Sequence, residues 1–353
     1  MVQLPVQRLK EVASIALQKT LALKSGEEIL IISNPDEDVK VIAEALFAAS
    51  LEIGGKPTLI FQPAKSGMDY AERTVLSAIE SAPDVILSIS AMKLGKDPYG
   101  LHVGYVGRDG KKYSSIFDKV KDGDRRARGF WTPGITVDMF LRTVDIDYDL
   151  MRRQVDRLCN ILNPAELVRI TSPAGTDIVV SVRGRQALKD DGDFTQPGSG
   201  GNIPCGEAFI SPALGGVDGI AVFDGTIALG EKPDIVPGRP IRVEIRGGFV
   251  VKVEEDSLEA SRLLLAIKDG EKRATTIDKP EMARNAWHIG ELGFGFNPAA
   301  KMTGNLLEDE KLLNSVHLAI GANYDHDADA LIHFDCLILS PTIYVDGEKI
   351  SYY

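Results

Sequence analysis

Apolar positions along this chain follow one rhythm in residues 1–150 and another in residues 151–353. Val6, Leu9, Ala13, Ala16 and Leu17 recur at helical spacing, and Gly26 breaks that helix. Ile29-Leu30-Ile31-Ile32 follows as an unbroken apolar run, the pattern of a strand covered on both faces. Asn34-Pro35-Asp36 reads as a turn, and Val39, Ile42, Leu46 and Leu51 as a second amphipathic helix. Gly54-Gly55 closes it, since glycine accepts the left-handed conformation just past a helix end. Pro57 to Phe61, Met68 to Ala82 and Val85 to Ile89 then read as strand, helix and strand. This alternation predicts a parallel, doubly wound α/β domain over residues 1–150.

Asp147 to Leu162 reads as a linking helix, halted before Pro164. Short β-rich runs follow at Leu167 to Thr171, Asp177 to Val182, Ile220 to Phe223, Ile241 to Arg246 and Phe249 to Glu254. Ser257 to Lys268 has the form of a serine-capped helix. Trp287 to Tyr353 returns to strands, with Asp346-Gly347 as a hairpin turn. Residues 151–353 are therefore expected to form an α+β, mainly β domain.

Composition narrows the function classes. A chain of 353 residues can bury two cores. Its formal net charge of −11 argues against a nucleic-acid partner, which needs a basic patch. No apolar run approaches the ~20 residues of a membrane helix. Met1-Val2-Gln3-Leu4-Pro5 lacks the basic and apolar regions of a secretory leader. Cys159, Cys205 and Cys336 form an odd, widely spaced set that argues against a disulfide framework. These readings predict a cytoplasmic protein.

No GxGxxG or GxxxxGK[ST] element follows the early strands, so a nucleotide role lacks its usual anchor. The Gly198 to Gly201 run lacks the following Lys-Ser/Thr of a phosphate cradle. The chemistry concentrates late, where four of five histidines (His288, His317, His326 and His333) lie. Read as a strand, Ala330 to Leu339 puts Leu331, His333, Asp335, Leu337 and Leu339 on one face. A histidine and an aspartate on an apolar surface need a strong partner, which is either their mutual hydrogen bond or a divalent metal. His317 stands alone in an apolar strand, where a satisfied core histidine is the ordinary reading. Glu207 and Glu291 sit among glycines and read singly as loop carboxylates. Together these five donors point to a two-metal hydrolase, with hard donors suited to zinc, cobalt, manganese or magnesium.

The order Asn202-x-Pro204-x-Gly206-Glu207, Glu291-Leu292-Gly293-x-Gly295-x-Asn297-Pro298, His317-x-Ala319-x-Gly321 and His333-x-Asp335 resembles the aminopeptidase T and AmpS family of thermophilic metallo-aminopeptidases. Gly54-Gly55-Lys56-Pro57-Thr58-Leu59 and Gly175-Thr176-Asp177-Ile178 extend the resemblance over nearly the whole chain. It implies a homodimer with two divalent metal ions per chain, acting on peptide substrates. The implied ligands are Glu207, Glu291, Glu310, His317, His333 and Asp335. Glu291 is then the candidate bridge and proton acceptor, and Tyr324 the donor to a developing oxyanion. The chain departs from that family in its shorter length and in the eight residues between Tyr324 and His333. His326, in that loop, reads as an exposed residue, and His288 as a residue behind the ligands.

Three other readings compete. One is a mononuclear iron(II) dioxygenase of hydroxypyridine type, an enzyme similar to this family. It needs two histidines and a carboxylate, and its other histidine would stand where Glu291 stands. Another is a non-catalytic binding protein that keeps the fold. A cysteine hydrolase using Cys205 or Cys336 is the third, although Cys336 falls on the strand face opposite His333 and Asp335.

Overall fold

A computed structural model of the protein describes residues 6–230 and 234–351; Met1 to Pro5, Tyr352 and Tyr353 lie outside the described residues. The described residues divide into two units. One runs up to Tyr148 and takes back Gly192–Cys205; the other holds Asp149–Asp191 and the chain from Gly206 onward. The expected single boundary at residue 150 would place Gly192–Cys205 with the later residues. The reason it differs is strand pairing: Gly200–Asn202 joins the first sheet alongside Arg128–Trp131.

In the first unit, helices α1 (Val6–Lys19), α2 (Glu37–Ile53) and α3 (Arg73–Glu80) accompany strands β1 (Glu28–Ser33), β2 (Lys56–Phe61), β3 (Val85–Ile89) and β4 (Arg128–Trp131). All pairings in this sheet are parallel, in the order Gly200–Asn202, β4, β3, β1, β2. β1 and β3 are buried almost throughout, which explains their unbroken apolar runs. Gly54 takes φ 93° at the end of α2, as its position required. The third helix is shorter than Met68 to Ala82. Asp69 accepts hydrogen bonds from Ser66 N and Oγ, and Gln62 Oε1 accepts from Glu72 N, so residues before Arg73 form a turn.

Arg128 anchors this unit. Its buried guanidinium donates to both oxygens of Glu27 at 2.9 and 2.8 Å, and through Nε to the Leu21 carbonyl at 2.9 Å. Burial opposes the charge on Glu27, but these hydrogen bonds outweigh it and hold the carboxyl below its usual range. Arg128→Met should cost about 2 kcal/mol or more, less than a fully buried pair because Glu27 keeps contact with water. The pair's contribution is present above the ordinary glutamate pKa of 4.5 and is lost as pH falls through the depressed folded value. Urea midpoints from pH 7 down to 3 should therefore converge for the two proteins; a constant gap would disprove this account.

The second unit opens with α4 (Tyr148–Leu162) and holds two antiparallel sheets. The larger joins, in spatial order, Phe249–Val253, Ile241–Arg246, Val217–Phe223, Asp177–Ser181, Leu167–Thr171, Thr342–Val345 and Glu348–Ile350. Asp346 and Gly347, both at positive φ, make its last hairpin turn. α5 (Leu258–Thr276) starts where Ser257 Oγ accepts from Ala260 N at 3.1 Å, and runs past the expected end at Lys268. The smaller sheet carries the site. Its strands are β5 (Leu188–Asp190), β6 (Glu207–Ile210), β7 (Ile289–Gly295), β8 (Ser315–Gly321) and β9 (His333–Leu339), paired in that spatial order. The mainly β expectation for this half is met. Among the described residues, no helix is long and apolar enough to cross a membrane.

Candidate metal centre

Cross-strand register explains how distant donors meet. Glu207 pairs with Gly295, Gly293 with His317, Glu291 with Ala319, Ala319 with Asp335 and Gly321 with His333. Residues paired across antiparallel strands share a face. One face of the sheet therefore bears Glu207, Glu291, His317, His333 and Asp335. Gly293, Gly295, Ala319 and Gly321 interleave them and keep the floor low. Glu207 and Glu291 are thus strand residues, a correction to their reading as loop carboxylates. The run Glu-Leu-Gly-Phe-Gly is a period-two strand pattern in which glycine takes the donor face. An alanine Cβ at Gly293 would lie 2.1 Å from His317 Cε1 and Nε2. Leu331 drops off the expected face, because β9 starts at His333 and Leu331 is exposed.

Glu291 lies between the two imidazoles. Its Oε1 is 3.1 Å from His317 Nε2, and its Oε2 is 3.2 Å from His333 Nε2. His317 Nε2 also meets Glu207 Oε1 at 3.0 Å, and His333 Nε2 meets Asp335 Oδ1 at 3.3 Å. Two donor triads result, Glu207-Glu291-His317 and Glu291-His333-Asp335. Burial works against charge on Glu291, yet the hydrogen bond from His317 and the positive charge of both histidines hold its carboxyl far below the usual range. Burial works likewise against both imidazolium ions. The carboxylates Glu207 and Glu291 raise His317, and Asp335 and Glu291 raise His333, each well above an ordinary histidine.

The outer triad fits a cation best. A carbonyl oxygen can only accept, so the 2.9 Å contact between His333 Nδ1 and Ala322 O fixes the ring hydrogen on Nδ1. In its neutral form, the one able to take a metal ion, the ring points its Nε2 lone pair at Glu291 Oε2 and Asp335 Oδ1; in its charged form it shares the Nε2 hydrogen with them. Those two oxygens are buried and receive no aligned hydrogen bond. Three electron-rich atoms converging in this way require a proton or a metal ion among them. His317 Nδ1 is a further buried atom with no partner.

A residue the sequence reading missed completes the cluster. Lys311 is buried to 1% exposure, with Nζ in contact with Glu207, 3.0 Å from Glu310 Oε1 and 3.2 Å from Asp190 Oδ2. Burial alone would lower this lysine, but Glu207, Glu310 and Asp190 hold it protonated. Glu310 stands in neither triad; its carboxylate faces the Lys311 ammonium. Its carboxyl is pushed up to about 8 by burial, against the pull of Lys311 and with the charges of Glu207 and Asp335 adding to the rise. Nothing in Glu308-Asp309-Glu310-Lys311 marks a buried lysine; the run reads as a solvated surface.

Tyr324 lies at the rim, half exposed, its ring 5.5 Å from that of His333 and 4.9 Å from that of Phe209. The nearby charge of Glu291, with burial, raises its hydroxyl far above an ordinary phenol, so it can donate but not serve as a base. Phe209 was not anticipated, although its place two residues beyond Glu207 on one strand puts both on one face. His326 is exposed at positive φ, as expected of a loop residue. His288 stands outside both triads, buried with its ring edge-on to Phe249 at 5.3 Å. Cys336 is buried on the far side of β9, and burial pushes its thiol well up, which removes it as a nucleophile. Cys205 is buried as well.

A model of the family described as NicX, 2,5-dihydroxypyridine 5,6-dioxygenase, matches residues 143–352. The chain belongs to this family. Two solved structures share the NicX-type architecture along its full length. The 2,5-dihydroxypyridine dioxygenase of Pseudomonas putida superposes with a TM-score of 0.71 at 17% identity, covering 99% of this chain and 96% of that one. Wild-type AmpT from Thermus thermophilus gives 0.64 at 18% identity, covering 98% and 97%. At these identities both show the fold: a parallel α/β unit followed by a mainly β one. The resemblance to aminopeptidase T holds at that level, while the family match is to NicX. No curated protein matches the chain.

Proposed function

We propose that this NicX-family chain is a divalent-metal oxygenase, holding one metal ion at Glu291, His333 and Asp335 and acting on a small, dihydroxylated aromatic ring. The observation that carries the metal site is the convergence of two unsatisfied carboxylate oxygens on the lone pair of His333. The family match supports oxygenation. Two carboxylates with one imidazole depart from the two-histidine, one-carboxylate set of a mononuclear iron site and form a harder donor set, which suits manganese(II) better than copper or zinc. When bound, such an ion supplies the charge that holds an ionised ring hydroxyl and lets the ring's electrons reach dioxygen. The chain's own residues do the rest. Phe209 and Tyr324 offer an aromatic wall against which a flat ring can stack. The Tyr324 hydroxyl, kept protonated, donates a hydrogen bond to ring oxygens. His317 backs Glu291 and fixes which of its oxygens faces outward. Tyr324→Phe should keep ring binding and lower turnover about tenfold or more, the scale of one lost donor to developing charge; an unchanged kcat would remove Tyr324 from the reaction.

A hydrolytic reading rests on a separate observation. Glu291 offers one oxygen to each triad, the disposition of a carboxylate that bridges two ions, as the resemblance to metallo-aminopeptidases implied. One experiment separates the two. Metal-free protein is reloaded with iron(II), manganese(II) or zinc(II). Oxygen uptake with 2,5-dihydroxypyridine and release of dye from a leucyl anilide are then followed in parallel. Uptake at about one ion per chain supports the oxygenase. Chelator-sensitive dye release without uptake overturns it in favour of the aminopeptidase, and silence in both assays with metal bound overturns both reactions.

A further inference from the structure

Five carboxylates crowd this part of the second unit: Asp190, Glu207, Glu291, Glu310 and Asp335. A cluster of that charge normally collects cations from solution. Here three of the five face a cation that belongs to the chain.

We propose that Lys311 is a built-in substitute for a second metal ion, occupying the Asp190, Glu207 and Glu310 side of the centre and restricting it to one exogenous ion. The inference rests on the single-ion reading above and gives that reading its cause.

The geometry carries it in three ways. The ammonium has three N–H groups and no lone pair, and three carboxylates surround it, so its bonding capacity is used up. Glu207 is divided between the two halves of the centre. Its Oε2 faces Lys311 and its Oε1 faces His317, so a second ion at Glu207 and His317 would have to compete with the lysine for the same carboxylate. The backbone also fixes the lysine in place. Lys311 N donates to Glu308 O at 2.9 Å, and Lys311 O accepts from Asn297 N at 2.8 Å, which ties it to the end of β7. The oxygens of Glu310 and Asp190 stand 3.0 and 3.2 Å from Nζ.

A merely structural salt-bridge network would leave metal stoichiometry alone, and that difference makes the proposal testable without an activity assay. Metal-free full-length protein is titrated with manganese(II), followed by calorimetry and electron paramagnetic resonance. The unmodified protein should bind one ion with an isolated six-line spectrum. Lys311→Met should bind a second ion, with the loss of signal typical of two coupled neighbours. Because three carboxylates without a counter-charge can prevent folding, the double variant K311M/E310Q is measured alongside. It removes one of the three acidic groups and keeps Asp190, Glu207 and His317 as donors. Two coupled ions in the unmodified protein would overturn both this proposal and the single-ion reading. One ion in a folded Lys311→Met or K311M/E310Q protein would overturn the role of Lys311 alone.

Discussion

His333→Ala and Asp335→Ala are each expected to leave a folded protein that no longer holds metal. Each removes one of three atoms converging on a single point, and the remaining two cannot enclose an ion. The loss of affinity and turnover should exceed the ~10–100-fold cost of removing an outer partner of a metal ligand. Folding should survive, since Asp335→Ala relieves a site with excess negative charge and His333 is partly exposed. Thermal unfolding gives the clearest readout. A ligand at a hundred times its Kd stabilises the native state by about 2.7 kcal/mol, so the unmodified protein should melt higher when manganese or iron is added. The two variants should not respond. A metal-dependent shift in either would place the ion elsewhere in the molecule.

Gly293→Ala should be strongly disruptive although it adds a single methyl group. The added carbon would stand 2.1 Å from two atoms of the His317 ring, which is buried. Overpacking of this kind costs ~1–3 kcal/mol where neighbours can shift. Here the ring must leave Glu207 and Glu291, so the upper end of that range is expected, together with weaker metal binding. Gly67→Ala, where a Cβ would meet nothing within 4 Å, is the matched control. Equal denaturation midpoints for the two variants would show that the sheet can yield at Gly293.

The contrast between these two predictions reflects what the sequence could reveal. His333 and Asp335 were visible as a polar pair on an apolar strand, because alternation alone sets their side of β9. The first unit was visible for a related reason: parallel strands covered on both faces leave continuous apolar runs such as Ile29 to Ile32. Between Ser90 and Arg128 the chain folds into short helices and two-residue strands, which leave no periodic signal. Glycine was the main source of error. In β7 it reads as a loop signal, whereas its role is to leave room for an imidazole from the next strand. Lys311 was hidden more completely. Burial of a lysine depends on carboxylates from three other positions, two of them over a hundred residues away, and no local pattern encodes that. The family motifs pointed to five donors that share one face of the sheet, and to Glu310, whose carboxylate faces Lys311.

The register of β8 against β9 has a consequence for how this protein can change over time. Asp335 reaches the centre only because it sits opposite Ala319, and His333 only because it sits opposite Gly321. A deletion of one residue inside β9 would turn the residues on one side of it to the opposite face, and one inside β8 would do the same to His317 and its neighbours, since side chains alternate from face to face. The connection between the strands, Ala322 to Ile332, has no alternating register to keep, although the Ala322 carbonyl orients His333 and hydrogen bonds within the loop hold Asn323 to Ala328. Length variation that alters substrate choice is therefore expected to gather in residues 323–332, beside Tyr324, while the strands on either side keep their count.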